Sequence, residues 1–269
     1  MDRLAASKAM VMLTLAFSVL LAEPLEAIPR SHRCYTQAGF DRWILVPAYF
    51  YSEELWSRLA SLSARWSTMI IANPSNGPGA EVDPNYSRWI GRVSSGGGLV
   101  LGYVHTGWGS RPLIEVEGDV DTWLELYPEV RGFFVDEVSD RAEDVSYYES
   151  LAQYIRQKGG FIIVLNPGTS VPPGYLGIAD AAVVFEDSAS SLRYLRGSAS
   201  PALQAAIVSE VPVSRVSQVL LYLLHKDIRV IYLTDEPSPP TYARVPSYFE
   251  LLAEAWASID ADRGCVRPI

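Results

Sequence analysis

The chain has 269 residues and is acidic, with 31 Asp+Glu against 22 Lys+Arg and a net charge of −9. That balance repels phosphate backbones and argues against nucleic acid as a partner. Three histidines and two cysteines, at no ligand-like spacing, argue against a resident metal, and no other cofactor is expected.

In chain order, Arg3 and Lys8 precede the apolar run Met10 to Ala22, with the small residue Ala27 after Glu23-Pro24. This is the layout of a secretory signal peptide, so residues 1–27 are set apart from the fold, and no stable membrane insertion is expected after its removal. The protein is expected to be secreted or cell-wall associated and a monomer. Residues 28–269 contain no long linker, charge block or internal repeat, which predicts one domain. Cys34 and Cys265 lie near the two ends of that domain, and in an oxidising compartment such a pair is expected to be bridged. The chain-entropy model gives about 4 to 5 kcal/mol for so long a loop.

Eight apolar runs read as strands: Trp43 to Val46, Thr68 to Ala72, Leu99 to Val104, Phe133 to Val135, Phe161 to Leu165, Ala181 to Phe185, Ala205 to Val208 and Val230 to Leu233. Helix-patterned segments follow most of them: Ser52 to Arg65, with Ser52 as N-cap, then Asn85 to Val93, Val120 to Tyr127, Asp144 to Gln157, Ser190 to Leu195, Ser214 to His225 and Pro246 to Ser258. Between the fifth and sixth strands Pro172-Pro173-Gly174 forbids a regular helix and leaves a turn or two near Tyr175 to Ile178. Alternating strand and helix, with strands apolar on both faces, predicts an α/β fold of parallel strands, and the number eight favours a closed (β/α)8 TIM barrel with an irregular connection between strands 5 and 6. An open dinucleotide-binding sheet would carry a glycine-rich turn after its first strand, where this chain reads Pro47-Ala48-Tyr49-Phe50-Tyr51.

In such barrels the chemistry sits at the C-terminal ends of the strands. The residues there are Tyr49, Asn73, Tyr103 with His105, Asp136 with Glu137, Asn166, Glu186, Glu210, and Asp235 with Glu236. Carboxylates and amides bond sugar hydroxyls, and aromatic faces cover the apolar side of a pyranose, so a sugar suits this mouth. Trp108 and Tyr51 are candidate sugar platforms on the loops. The abrupt passage from Phe133-Phe134-Val135 into Asp136-Glu137, with Glu186 at the end of a second run, suggests paired-carboxylate glycosidic chemistry. Asp235 and Glu236, ahead of Pro237-Ser238-Pro239-Pro240, read instead as charges exposed by a proline-rich loop.

Pro47-Ala48-Tyr49, Asn73-Pro74-Ser75-Asn76-Gly77-Pro78-Gly79, Gly102-Tyr103-Val104-His105-Thr106, Gly132 to Glu137, Asn166-Pro167-Gly168-Thr169 and Val184-Phe185-Glu186, in this order and spacing, resemble the spherulin 4 family, also called spherulation-specific family 4 and assigned to glycoside hydrolase family 135. The resemblance implies a (β/α)8 barrel and endo-hydrolysis of α-1,4-linked N-acetylgalactosamine, as in galactosaminogalactan. It also implies that Asp136, Glu137 and Glu186 are functional. One departure is Ser209-Glu210-Val211 after the seventh strand, where a histidine-containing end is expected in the family. The catalytic assignment from sequence is Glu137 and Glu186 as acid and nucleophile or base, in either order, with Asp136 raising one partner's pKa and orienting the ring. Tyr49, Asn73, Tyr103, His105, Trp108, Asn166, Glu210 and Asp235 are the expected substrate contacts. A secreted polysaccharide-binding or wall-structural protein that keeps the barrel without turnover is the alternative, and a hydrolase of deacetylated polygalactosamine is a third reading suited to the acidic balance. If Cys34 and Cys265 are bridged, thiol titration of the unfolded secreted protein will find no free thiol before reduction and two after it.

Overall fold

A computed structural model describes residues 42–196 and 202–259. Cys34, Cys265 and the expected signal peptide lie outside the described residues. Eight parallel strands close into a barrel in sequence order: β1 (Trp43–Ala48), β2 (Thr68–Ala72), β3 (Leu99–His105), β4 (Gly132–Asp136), β5 (Ile162–Leu165), β6 (Ala181–Ser188), β7 (Leu203–Ser209) and β8 (Ile228–Leu233). β8 returns to β1 through Trp43 opposite Val230 and Ile44 opposite Ile231, which closes the cylinder. The (β/α)8 architecture expected from the alternation of strands and helices is the one observed.

The intervening helices are α1 (Glu53–Ser63), α2 (Pro84–Ser95), α3 (Leu113–Leu126), α4 (Val145–Lys158), the short α5 (Pro173–Ile178), α6 (Val216–His225) and α7 (Phe249–Ser258). Their starts are chemically marked. Ser52 accepts from Leu55 N–H ahead of α1, and Asp83 accepts from the N–H groups of Asn85 and Tyr86 ahead of α2, where Pro84 takes the first helical position at no cost in hydrogen bonds. α3 begins seven residues before the expected Val120, directly after Pro112. The segment read as a helix from Ser190 is a 3-10 turn, Ala189–Tyr194. α5 is confined to six residues, as the Pro172-Pro173-Gly174 sequence requires.

The strands are buried along nearly their whole length because the lumen is filled with side chains and the outer face is covered by helices. Two glycines mark where those layers press closest. A Cβ on Gly102 would sit 2.7 Å from the Trp123 ring of α3, and one on Gly132 would sit 2.4 Å from the Ile162 carbonyl oxygen of β5. At the seam, Arg42 donates to the carbonyls of Ile259 and Ala257, so the two described ends meet.

β6 runs to Ser188, beyond the expected Phe185, and contains an irregularity that decides the orientation of its acid. Val183 lies opposite Ala205 of β7, but Phe185 lies opposite Ala206, so Val184 is an extra residue. Strict alternation from Val183 would turn Phe185 inward and Glu186 outward. The bulge reverses this and gives Glu186 the same face as Ile207 and Ser209.

Gly132→Ala is expected to lower stability by about 1–3 kcal/mol, because the clash is with backbone and cannot relax cheaply. Gly118→Ala, in the open interior of α3, is expected to raise it by up to about 1 kcal/mol. Denaturant midpoints at unchanged slope will read both.

Candidate active site

The ends of β4, β5 and β6 meet at one amide. Asn166 follows β5, and its Nδ2 donates to Asp136 Oδ1 at 2.8 Å and to Glu186 Oε2 at 2.8 Å. The amide cannot be turned over, since its Oδ1 accepts the Gly168 N–H at 3.0 Å. Two such bonds from a single nitrogen keep the nearest oxygens of the two carboxylates within about 5.6 Å of each other. The Glu186 N–H also donates to the Gly168 carbonyl at 3.0 Å, so the loop after β5 holds both the backbone and the side chain of this residue.

Three tyrosines complete the enclosure. Tyr103 of β3 donates to Asp136 Oδ2 at 2.8 Å, and Tyr242, on the loop after β8, donates to Glu186 Oε1 at 2.5 Å. Tyr49, after β1, meets Tyr103 and Tyr242 edge to face, with ring centroids 5.8 and 5.4 Å away. Burial, and then the Asp136 carboxylate, push the phenols of Tyr49 and Tyr103 well up from their ordinary value; burial and then Glu186 do the same for Tyr242. All three stay O–H donors at any working pH. Glu186 is raised above the ordinary carboxylate range. Burial is the main cause and the Asp136 charge adds to it, against the bonds from Tyr242 and Asn166, which pull it down.

Glu137 sits beside this core, on the β3 side. Its backbone is in the left-handed region at φ 52°, its carbonyl accepts from Trp108 N–H at 2.6 Å and Thr106 Oγ1 at 2.7 Å, and its carboxylate accepts from Gly107 N–H at 3.2 Å. His105 Nδ1 stands 3.7 Å from the same carboxylate, too long for a hydrogen bond. Trp108, at φ 54°, holds its ring 67% exposed at the rim. Of the six non-glycine residues with positive φ among the described residues, five follow the C-terminal ends of strands: Asn76, Trp108, Glu137, Glu210 and Tyr242. Strain concentrated on one face of a barrel points to function there.

The remaining expected contacts divide. Asn73 closes its own loop by accepting Gly77 N–H at 2.9 Å. Asp235 is engaged by Arg244 at 2.8 Å and Ser247 at 3.1 Å, which fastens the loop after β8. Glu210 accepts Ser238 N–H at 3.3 Å. Tyr51 packs on Tyr86 and Trp89 and bonds Asn85 and Asp83, so its exposed ring is tied to α2. Glu236 is a correction to the expected exposure: it is 4% exposed, and its Oε2 takes both the N–H and the hydroxyl of Thr241 at 2.8 Å. It thereby anchors the residue before Tyr242. Tyr242 itself was not foreseen, because nothing in Pro239-Pro240-Thr241-Tyr242 shows that this loop folds back over β6. Among the described residues no group of three or more His, Cys, Asp or Glu side chains is placed to hold a metal ion, and no helix is long and apolar enough to cross a membrane.

Comparison with known proteins gives four findings. The model of the spherulation-specific family 4 matches residues 43–256. Spherulin-4 of Physarum polycephalum is 38% identical over 154 residues, covering 56% of this chain and 46% of its own, so the chain spans about half the length of that relative. Among solved structures, Aspergillus clavatus Sph3, crystallised in complex with GalNAc, superposes with a TM-score of 0.71 at 25% identity over 81% of this chain and 98% of its own. A maltogenic α-amylase of Thermotoga neapolitana, at 9% identity and a TM-score of 0.50 over 72% of this chain and 66% of its own, shares the fold alone.

A carboxyl whose folded pKa is raised favours the fold below its unfolded value and loses that contribution as pH climbs through the folded value. The stability of the wild type should therefore carry a component that is complete below about pH 4.5, declines above it and levels off once Glu186 is ionised. Glu186→Gln should remove that component from the pH–stability curve. Tyr242→Phe, which deletes a bond to the charged form, should move it to higher pH.

Proposed function

The chain belongs to the spherulation-specific family 4, and from that membership we propose that it is a secreted, endo-acting glycoside hydrolase of α-1,4-linked N-acetylgalactosamine, as in galactosaminogalactan, with Asp136 and Glu186 as its reacting carboxylates. The observation that carries this reading is the Asn166 amide held between the two acids. Retaining glycosidases place their carboxyls about 5–5.5 Å apart and inverting ones about 6.5–9.5 Å apart, and a bridge through a single nitrogen, which holds the nearest oxygens within about 5.6 Å, favours the shorter separation. The pairing of Glu137 with Glu186 expected from sequence gives way to Asp136 with Glu186, because Glu137 turns its carboxylate to Gly107 and the His105 side.

Roles follow from the surroundings. Burial raises Glu186 toward its protonated form, which suits the acid that gives its proton to the glycosidic oxygen. Asp136, oriented by Tyr103 and Asn166, attacks C1 and forms a glycosyl ester as the C1–O bond breaks. Glu186, now a carboxylate, takes a proton from water, which opens the ester and returns the enzyme to its starting state. An acetamido group cis to an α-linked leaving oxygen cannot assist, so both steps rest on protein carboxylates. Tyr49 and Trp108 offer aromatic faces to the ring, and Glu137 and His105 offer polar contacts beside the pair. The crystallised complex of Sph3 with GalNAc, on a related barrel, supports this substrate class. Residues 1–27 as a signal peptide and residues 28–269 as the barrel domain fit secretion.

Incubation of the purified protein with galactosaminogalactan should release N-acetylhexosamine oligomers detectable by mass spectrometry. Asp136→Asn and Glu186→Gln should each reduce the rate by about 10²–10⁴-fold, whereas Glu137→Gln should act more on KM than on kcat. Proton NMR of the first products should show the α anomer. A β anomer first would overturn the retaining assignment, and polymer that is bound without release would leave a binding protein.

A further inference from the structure

Glu236 follows β8 and is buried, yet among the described residues it makes no ion pair; Arg244, the nearby cation, is engaged by Asp235. A buried carboxylate without a cation is costly, so what it holds is informative. Its Oε2 takes the N–H and the hydroxyl of Thr241, each at 2.8 Å, while its Oε1 is buried with no hydrogen-bond partner. Resting on the glycosidase reading above, we propose that Glu236 is a positioning residue for the reacting acid: it holds Thr241 so that Tyr242 keeps its hydroxyl on Glu186.

The backbone of Glu236 is itself fastened. Its N–H donates to Thr234 Oγ1 at 3.2 Å and its carbonyl accepts the Glu210 N–H at 2.9 Å, which ties it to the ends of β8 and β7. From that base the side chain reaches Thr241, an exposed residue that no burial keeps in place. Thr241 Oγ1 donates to Glu236 and also accepts the Ala243 N–H at 3.4 Å, so this one side chain brackets Tyr242 from both sides. Tyr242 lies between them in the left-handed region at φ 54°, a conformation that costs free energy and persists only where the surroundings impose it. Its hydroxyl donates to Glu186 Oε1 at 2.5 Å.

The influence of Glu236 on the acid has a sign. The groups around Glu186 are Asp136 of β4, the Asn166 amide after β5 and the phenols of Tyr49, Tyr103 and Tyr242; those around Glu236 are Tyr232 of β8 and Arg244 of the loop. Burial raises Glu186, the bonds from Tyr242 and Asn166 lower it, and the Asp136 charge raises it. Glu236 acts through Tyr242. If its hold on Thr241 is lost and the phenol swings away, the charged form of Glu186 loses a donor, and the proton stays on to higher pH. A loop that merely opened to water would relieve burial and move Glu186 the other way.

The test follows the Glu186 carboxyl by carbon NMR in the purified protein labelled at its glutamates, with the resonance assigned by its loss in Glu186→Gln. The alkaline limb of kcat/KM on galactosaminogalactan is measured beside it. Glu236→Leu, similar in size but without the acceptor, should move the titration of Glu186 to higher pH by the same amount as Tyr242→Phe, and the double variant should move it no further. Thr241→Val, at an exposed position, should move it the same way by less, and it keeps the test open if Glu236→Leu does not fold. Glu236→Gln, whose amide oxygen can still accept from Thr241, should keep the wild-type titration and so separates the acceptor from the charge. The alkaline limb should shift with the titration in every variant. A titration unchanged in Glu236→Leu and Thr241→Val, or one moved to lower pH, would overturn the positioning role and leave hydrolysis intact. The expected titrations without turnover by the wild type would instead overturn the hydrolase reading and keep the hold of Glu236 on Tyr242.

Discussion

The structure turns on the amide of Asn166, which stands between Asp136 and Glu186 and gives one N–H to each. Two carboxylates brought this close from separate strands would repel each other, and nothing in a barrel requires their strands to end at the same height. The amide converts the repulsion into a fixed spacing. It works only because β4, β5 and β6 end together: Asn166 N–H donates to Val135, its carbonyl accepts from Val138, and Gly168 takes Glu186 N–H on the far side. The short β5, at four residues, lets the chain leave the sheet early enough for Asn166 and Gly168 to reach both neighbours.

The bulge at Val184 belongs to the same arrangement. Without the extra residue Glu186 would face the helices, in apolar surroundings with neither Asn166 nor Tyr242 to bond. With it, Phe185 goes outward into the helical layer and the acid goes inward. The loop after β8 then closes the other side. Glu236 is buried and spends one oxygen on Thr241, and Tyr242 takes the left-handed backbone that aims its hydroxyl at Glu186. Burial raises the pKa of Glu186, and the Tyr242 and Asn166 bonds limit the rise. A left-handed conformation at a tyrosine costs free energy, so the closed loop is strained in order to hold a donor at this one carboxylate.

Much of the barrel was legible because its strands are buried on both faces and read as unbroken apolar runs, and because Ser52 and the Pro172-Pro173-Gly174 stretch carry local rules that the structure obeys. Asp136 and Glu137 stood out since two acids after Phe-Phe-Val have no packing explanation. The difference in their surroundings was hidden. Adjacent residues look equivalent in sequence, while Glu137 takes a left-handed backbone and bonds its carboxylate to the Gly107 N–H. The bulge was hidden for a different reason: Ala181 to Phe185 is apolar throughout, so no alternation exists to reveal a slip in phase. Tyr242 and Glu236 were hidden by the proline-rich loop, whose composition suggests solvent and whose path over β6 depends on long-range contacts that no local pattern encodes.

The two flanks of the acid pair are chemically unlike, and this gives the site a direction. On the β3–β4 side stand His105, the Glu137 carboxylate and the exposed Trp108 ring, over a loop closed by Thr106, whose hydroxyl bonds the Glu137 carbonyl. On the β6–β8 side stand Asp187, the unpartnered Ser209 and two prolines. The mouth therefore presents an exposed aromatic ring at one end and small polar and proline surfaces at the other. The Ser209-Glu210 ending of β7 lies on this second flank, where Glu210 accepts the Ser238 N–H of the loop after β8.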